Sequence, residues 1–358
     1  MRDLERRLAL HRAYWAGGEM EEPLVSYRIG NYFFADKFKA NLPLLEKNHL
    51  VTPEQIDVDA YLPDYERMYQ DCEQTGQTAF FTAEPCTGIP WLEAMCGCPI
   101  RGEEVAFMAT QTCDDIEDVG EIRYDPENPW AKRYVEFLDK LVTLSDGRFP
   151  VGQPIMRGTT DVVGSMMGQS EMACAAMTDP ELLRQRLNES AELLRQVIAE
   201  QYRHVPAFYD GYAAGFYHLW APGRLIWYQE DLSAILSKKH FDEFLREPAE
   251  QICEGYDYTF MHLHPNSFFH LDGILSLKGL RAVQINKDVS GPTVEQMIPV
   301  FRNVLEAGKR LIVWGNLTEE EIRLVMRKLP HMGLFLNVIS PSVEEAKQLQ
   351  SVISTAWR

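Results

Sequence analysis

The segment from Leu280 to Asn316, LRAVQINKDVSGPTVEQMIPVFRNVLEAGKRLIVWGN, has the most regular pattern in the chain and indicates its fold. It begins with an apolar run at 280–286, continues with amphipathic spacing at 293–308, and returns to an apolar run at 310–316. Short apolar runs predict strands, and spacing of three to four residues predicts a helix between them. Because both runs are almost continuously apolar, we predict two parallel strands that are covered by helices.

The same strand–helix unit occurs four times in the C-terminal part of the chain. The predicted strands begin near residues 256, 280, 310 and 333, and the helical patterns cover 267–277, 293–308, 318–329 and 342–355. Thr318 and Ser342 are at the positions expected for N-caps. Four units make half of an eight-stranded barrel, so the pattern predicts an α/β fold of the (β/α)8 TIM-barrel type.

An open doubly wound sheet is the alternative fold. No Gly-x-Gly-x-x-Gly follows any of the four strands, which weakens the dinucleotide-binding version of that fold. We therefore expect neither a nicotinamide nor a flavin cofactor.

The upstream part of the chain is less regular. Its patterns predict strands at 23–30, 153–158 and 215–220, a helix at 179–205 that starts at Asp179 and Pro180, and a helix at 237–256 with a kink at Pro248. No low-complexity linker interrupts the sequence. We therefore predict one domain over residues 1–358, in which 1–84 form an N-terminal helical and extended elaboration and 85–358 form the barrel core.

Charge and composition restrict the partners. Lys and Arg total 35 and Asp and Glu total 53, which gives a net charge of −18. Such an acidic chain repels nucleic acid and anionic lipid surfaces, so neither is an expected partner. The N-terminus has no apolar signal-peptide core, no apolar stretch is long enough to span a membrane, and the seven Cys are an odd number. We expect a cytoplasmic protein with reduced thiols, whose oligomeric state the sequence does not predict.

Polar side chains occur where the four predicted strands end. They are His262 and His264, Asn286 and Asp288, Trp314 and Asn316, and Asn337. In a β/α barrel the active site forms at the carboxyl ends of the strands, so this set predicts a functional site. The alternative is that these positions are polar only because loops begin there.

The pair His262 and His264 is the most distinctive part of this set. Residues two apart in a strand point to the same face, and two imidazoles on one face can bind one metal ion. Asp288 is the nearest candidate for a third ligand in the predicted topology. In the alternative interpretation, one histidine is a hydrogen-bond donor in a pocket and the other ends the strand.

Three further stretches contain candidate residues. In IWYQEDLSAIL (226–236), Glu230 beside the aromatic Tyr228 is a candidate acid/base, and Asp231 is expected at a helix N-terminus. His218 and Trp220 in YHLW (217–220) are candidate substrate contacts. In GIPWLEAMCGCPI (88–100), Trp91 and Glu93 are functional candidates, although the spacing of the apolar residues is also typical of core.

These stretches, together with the final strand–helix unit, resemble the uroporphyrinogen decarboxylase superfamily over roughly residues 85–356. The resemblance implies a distorted (β/α)8 barrel and one of two activities. One is the cofactor-free decarboxylation of uroporphyrinogen. The other is zinc-dependent methyl transfer between a methylcobalamin-carrying corrinoid protein and a thiol or similar acceptor.

The chain departs from both groups. Decarboxylases have an arginine-rich Met-Arg-Gln-Ala-Gly-Arg-Tyr segment near the N-terminus, whereas SYRIGNYFFADKF (26–38) has only Arg28. The methyltransferases have His-x-Cys where this chain has His262 and His264, and a second Cys where it has Asn337. The resemblance therefore implies a harder metal site of nitrogen and oxygen ligands, if a metal binds.

The function that these observations favour is methyl transfer between a methylated corrinoid on a partner protein and a small-molecule acceptor. In this interpretation His262 and His264 bind zinc or position the acceptor, Asp288 completes or orients them, and Glu230 is the acid/base. Apolar walls and polar contacts come from the remaining candidates, which are Tyr228, Trp220, His218, Trp314, Asn316 and Asn337. The alternatives are a decarboxylase of a tetrapyrrole or another carboxylated molecule, and a non-catalytic protein that binds a tetrapyrrole or corrinoid.

Overall fold

The structure is a computed structural model that describes residues 2–31 and 34–357. The strands are β1 (Leu24–Ile29), β2 (Leu50–Val51), β3 (Ile100–Glu103), β4 (Ala106–Ala109), β5 (Gly152–Gln153), β6 (Tyr212–Ala214), β7 (Leu219–Ala221), β8 (Leu225–Gln229), β9 (Tyr258–Leu263), β10 (Ala282–Asn286), β11 (Arg310–Gly315) and β12 (Leu334–Ser340). The α-helices are α1 (Arg2–Ala16), α2 (Leu62–Gln74), α3 (Trp91–Met95), α4 (Pro129–Ser145), α5 (Thr159–Met167), α6 (Gln169–Thr178), α7 (Pro180–His204), α8 (Arg246–Cys253), α9 (Leu271–Leu275), α10 (Val294–Glu306), α11 (Glu319–Lys328) and α12 (Val343–Trp357).

A parallel sheet of six strands positions the candidate site. Its strand order is β1-β12-β11-β10-β9-β8, and every neighbouring pair is parallel. The four strands predicted in the C-terminal part are β9 to β12, and the helices predicted after the last three of them are α10, α11 and α12. Thr293 and Thr318 cap α10 and α11 with complete capping boxes, which explains where these helices begin.

The two faces of this sheet have different surroundings. Alternate residues such as Met261, Ile285 and Val313 belong to the large core that includes the helices. The intervening residues, such as Trp227, Phe260 and Ile312, belong to a separate buried cluster on the other face. Because both faces are buried, the strands are almost continuously apolar, as the sequence pattern predicted.

The sheet of six strands does not close into a ring through regular ladders within residues 2–31 and 34–357. Beyond its edges, the amide of Ala79 donates to the carbonyl of Val25 in β1 at 2.9 Å. Single parallel bridges then join Ala83 to Val151 and Arg157 to Gln229 in β8. These contacts place the segments in the order that neighbouring strands of a barrel would have. The closed (β/α)8 barrel remains a prediction.

Three upstream predictions differ from the structure. Of the strand expected at 153–158, only Gln153 is in a strand, at the end of the two-residue β5, and the run at 215–220 contributes β7 at its end, after the short β6. The helix expected at 237–256 is divided into a 3-10 turn, a π-helical turn at 241–245 and α8. The helix expected at 179–205 is α7, which follows Asp179 as predicted. None of the helices described is long and apolar enough to cross a membrane.

Candidate functional site

The register of the parallel sheet places the predicted polar residues at two levels on its inner face. His262 in β9 pairs with Gln229 in β8 and with Gln284 in β10. One level further along, Trp314 in β11 pairs with Asn286 and Asn337. Because successive inward residues lie two apart, the carboxyl ends of neighbouring strands bring these side chains to one edge of the sheet.

The structure brings His262 and His264 together with Asp231. The Nε2 atom of His262 lies 3.6 Å from Asp231 Oδ1, and the Nε2 atom of His264 lies 3.8 Å from the same oxygen. One ligand atom from each residue can be chosen so that all three lie within 4.8 Å of one another. Within the described part of the chain, this is the one cluster of three or more such ligands that could hold a metal ion.

The other ring nitrogen of each histidine has its own partner. His264 Nδ1 lies 2.8 and 2.9 Å from the two carboxylate oxygens of Asp288. His262 Nδ1 makes a hydrogen bond to Gln284 Oε1 and lies 2.9 Å from the hydroxyl of Tyr217. When Nδ1 donates to these oxygens, both Nε2 lone pairs face Asp231. Metal-binding histidines in proteins have this arrangement, in which an acceptor fixes the tautomer through the second nitrogen.

Burial and neighbouring charges shift the pKa values of the two histidines in opposite directions. Burial lowers the pKa of His262 to about 4, so its ring is neutral at neutral pH. Burial alone would also lower the pKa of His264, but the hydrogen bond with Asp288 and the charge of Asp231 raise it above its usual value. A neutral His262 next to the Asp231 carboxylate places a lone pair against a negative charge. A bound cation would remove this repulsion.

The donor set fits a zinc ion. Two imidazole nitrogens and one carboxylate oxygen are ligands that zinc accepts in catalytic sites, where a fourth position stays open. Asp288 was predicted to complete or orient the two histidines. The structure places it on the Nδ1 side of His264, which suits the orienting role, whereas Asp231 is the carboxylate near both Nε2 atoms that could be the third ligand.

A cavity of about 230 Å³ opens beside these three residues, and we call it the main cavity because all three line it, not because of its size. Its wall includes Phe34, Thr87, Ile89, Glu93, Phe107, Met108, Ile155, Arg157, Phe216, Tyr217, Gln229, Asp231, His262, His264, Asn286 and Trp314. This volume is below the range of pockets for drug-sized ligands. The main cavity is therefore suited to a small molecule.

The structure reverses the expectation for Glu230 and Asp231. Glu230 does not line the main cavity: its carboxylate accepts hydrogen bonds from the backbone N–H and the hydroxyl of both Thr159 and Thr160 at the start of α5. Asp231, which was expected only to begin a helix, lines the main cavity. The reason is that β8 ends at Gln229 and a 3-10 turn follows at Asp231–Ile235, so the alternation of the strand is interrupted.

Three predicted substrate contacts lie away from the main cavity, and two of them, Tyr228 and Trp220, are in the packed interior. Tyr228 is fully buried in the core that includes the helices, because it points to the opposite face from Gln229. Trp220 packs against Leu8 and Phe80, and its indole N–H donates to the Phe208 carbonyl at 2.8 Å. Both are structural residues.

His218 lines a different, smaller cavity of about 30 Å³. Its neighbours there include Arg28, Lys37 and Glu84. Burial lowers the pKa of His218 well below its usual value, so the ring is neutral. The expected contact of His218 with a substrate in the main cavity is therefore not supported.

The last three candidates have different environments. Trp314 lines the main cavity as expected. Asn337 is buried behind Tyr217, where its amide donates to the Tyr217 carbonyl at 2.6 Å. Asn316 is exposed in the loop after β11, and its carbonyl accepts from Lys287 at 2.6 Å. Neither asparagine is among the residues that line the main cavity.

Sequence reasoning missed Tyr217, Gln284 and Arg157. Gln284 was detectable, because it lies two residues before Asn286 in a strand and must share its face. Tyr217 and Arg157 lie in irregular segments, where no periodicity predicts the direction of a side chain. Glu93, which was a functional candidate, lines the main cavity, whereas Trp91 is fully buried in the core and donates to the Cys86 carbonyl at 3.1 Å.

The fold and site together define an α/β protein with a carboxylate–imidazole cluster at the carboxyl edge of a parallel sheet. No protein-family model matches the chain, and no curated protein matches it. Among solved structures, the chain is similar to a methyltransferase from Methanosarcina mazei, with a TM-score of 0.66. The sequences are 14% identical, and the similarity covers 98% of each chain. This likeness shows a shared fold over nearly the whole length.

Proposed function

We propose that this protein is an enzyme that moves a methyl group between a methylated corrinoid on a partner protein and a small-molecule acceptor. In this proposal the chain is a member of the uroporphyrinogen decarboxylase superfamily, with a (β/α)8 barrel and a zinc ion held by Asp231, His262 and His264. The observation that carries the proposal is the convergence of these three side chains beside the main cavity. The shared fold with a methyltransferase supports it.

Zinc at this position would act as a Lewis acid that makes the acceptor a better nucleophile. The residues of the chain hold and orient the site. Asp288 and Gln284 fix the two imidazole rings through their Nδ1 atoms, so that both Nε2 atoms face the same point. Trp314, Phe216 and Phe107 supply apolar walls around the acceptor.

The size of the main cavity favours this function over the alternatives that involve a tetrapyrrole. About 230 Å³ suits an acceptor of few atoms, whereas a tetrapyrrole is larger than the drug-sized ligands that need wider pockets. Methyl transfer needs only the acceptor to be inside, because the corrinoid approaches the opening on its own carrier protein. Decarboxylation of a tetrapyrrole, or its binding without chemistry, would need a larger space.

The experiment is a methyl-transfer assay with zinc-loaded protein, a high concentration of free methylcobalamin in place of the carrier-bound corrinoid, and a panel of small thiols, phenols and amines. We expect the visible spectrum of methylcobalamin to change with at least one acceptor, and the rate to fall by about 10²-fold or more in His264→Ala. Asn316→Ala, in the exposed loop after β11, is the control and should keep the rate. A zinc-loaded, folded protein that is inactive with every acceptor class, or a His264→Ala variant with full activity, would contradict the proposal.

A further inference from the structure

Glu93 is a buried carboxylate that the site described above does not use. It lies in α3, its side chain is 1% exposed, and it lines the main cavity. Neither of its carboxylate oxygens has a hydrogen-bond donor among the residues that the structure describes. Its charged neighbour is Arg157, whose Nε lies 3.2 Å from Glu93 Oε1 without the alignment of a hydrogen bond.

Such an arrangement is costly unless a ligand completes it. A buried acceptor that lacks a donor costs about 1–3 kcal/mol, and native proteins contain few of them. Arg157 gives charge compensation, but it leaves the carboxylate oxygens without donors. A ligand in the main cavity that carries an O–H, S–H or N–H group would supply one.

The surroundings of Glu93 make its carboxylate a stronger base than an exposed one. Burial raises the pKa of Glu93, the charge of Arg157 opposes this shift, and Asp231 adds to it. The nearby thiols of Cys96 and Cys98 stay neutral, because burial raises the pKa of both, that of Cys98 to about 12. Glu93, and not either thiol, is therefore the group in this part of the wall that can take up a proton.

The proposed reaction needs such a group. An acceptor X–H that gains a methyl group must lose its proton. The Nδ1 atoms of His262 and His264 are held by Gln284 and Asp288, and their Nε2 atoms face Asp231. These residues have ligand or orienting roles, which leaves Glu93 as the acidic side chain of the cavity wall without a role.

We infer that Glu93 is a catalytic residue that binds the X–H group of the acceptor and accepts its proton during methyl transfer. The X–H bond breaks and the proton goes to Glu93. The X–C bond forms as the cobalt–carbon bond breaks, and the electron pair of that bond stays with the corrinoid. The acceptor class is thus a small neutral molecule with a hydroxyl, thiol or amine group. This inference rests on the proposed function.

The first test is binding without corrinoid. The affinities of 2-mercaptoethanol, phenol and aniline are measured by calorimetry for the zinc-loaded wild type and for Glu93→Gln. We expect at least one probe to bind the wild type and to lose about tenfold in affinity in Glu93→Gln, as the loss of a hydrogen bond to a charged group predicts. Glu84→Gln is the matched control, because Glu84 is also buried beside an arginine, at 3.1 Å from Arg28, but lines the smaller cavity.

The second test is the methyl-transfer rate as a function of pH. We expect Glu93→Gln to lose about 10²-fold in kcat and the rise of rate with pH that reports the proton acceptor, and Glu93→Asp to restore part of both. If no probe binds the wild type, or if Glu93→Gln binds and reacts like the wild type, the inference is wrong. Binding that depends on Glu93 in a protein that transfers no methyl group would contradict the proposed function and leave Glu93 as the residue that binds X–H.

Discussion

His262 is oriented by an amide, whereas His264 is oriented by a carboxylate. Gln284 Oε1 accepts from His262 Nδ1 and also from the hydroxyl of Tyr217 at 2.6 Å, and Gln284 Nε2 donates to Asn286 at 3.0 Å. A glutamine keeps the tautomer fixed without adding a third negative charge beside Asp231 and Asp288. The two rings are therefore held by partners of different charge.

We predict that Gln284→Met weakens zinc binding by about 10- to 100-fold while the three ligands remain, because the acceptor that orients His262 is lost. The measurement is competition for zinc with a chelator. Gln201→Met is the matched control, since Gln201 is a buried glutamine that also accepts from a tyrosine, Tyr134 at 2.6 Å, but lies on α7. Equal zinc affinities of Gln284→Met and the wild type would argue against the orienting role.

The sequence predicted some of the individual residues of the site. The alternation of β9 gives the common face of His262 and His264, and Trp314 at the end of β11 lines the main cavity. Asp231 was assigned to a helix start, because sequence spacing cannot show that the strand ends at Gln229 and that a 3-10 turn redirects the next side chains. The choice between two adjacent carboxylates depends on that one turn.

The turn after β8 and the start of α5 hold each other through reciprocal hydrogen bonds. Glu230 accepts from Thr159 and Thr160, and Asp161 on α5 accepts from the amides of Asp231 and Leu232 at 3.1 and 2.8 Å. Burial and the nearby carboxylates Asp231 and Glu230 hold the pKa of Asp161 well above its usual value. The backbone of Asp231 is thus fixed by a second element.

We predict that Glu230→Ala lowers the free energy of unfolding by at least about 2 kcal/mol, because it leaves buried donors of α5 without an acceptor. It should also weaken zinc binding, because Asp231 is next in the chain. Urea denaturation of the metal-free protein measures the first effect. The exposed Glu247→Ala is the control, and a Glu230→Ala variant as stable as this control would refute the capping role.

Helix α1 carries a buried histidine with a predictable effect on stability. His11 is fully buried, stacks on Phe80 at 5.1 Å, and its Nδ1 lies 2.8 Å from the Arg7 carbonyl. Burial lowers its pKa to about 4. The unfolded chain, with a histidine pKa near 6.5, binds a proton that the folded protein excludes, so stability falls as pH decreases from about 6.5 to about 4.

We predict that His11→Gln flattens the dependence of unfolding free energy on pH in this window, by about 3 kcal/mol between its ends. Other groups, including His262 in the metal-free protein, contribute equally to both proteins, so the difference isolates His11. The measurement is urea unfolding at several pH values, with the partly exposed His49→Gln as control. Parallel curves for His11→Gln and wild type would show that His11 does not stay neutral.

The elements themselves were predictable where periodicity is strong. Strands β9 to β12 and helices α10 to α12 lie where the repeated pattern placed them, because buried parallel strands and amphipathic helices have clear periods. The strand expected at 153–158 was reduced to two residues, and the helix at 237–256 was divided, because tertiary contacts at these positions outweigh local preference.

The whole molecule combines a strong negative charge with a cavity for a small ligand. The net charge is −18, yet the wall of the main cavity includes Arg157 beside Glu93. Sequence composition predicts that nucleic acid is not a partner, whereas the volume of the main cavity depends on how distant segments such as 87–93, 105–108 and 155–157 pack against the sheet. No pattern within one segment predicts how these segments pack together.

The proposal that Asp231, His262 and His264 bind one zinc ion is tested by zinc titration of the metal-free protein against a chelator. We predict one zinc per wild-type chain and at least a tenfold weaker affinity for Asp231→Asn. Asp288→Asn should keep the stoichiometry of one with a smaller loss. A folded wild-type protein that binds no zinc, or an Asp231→Asn variant that binds it as tightly as the wild type, would contradict the claim.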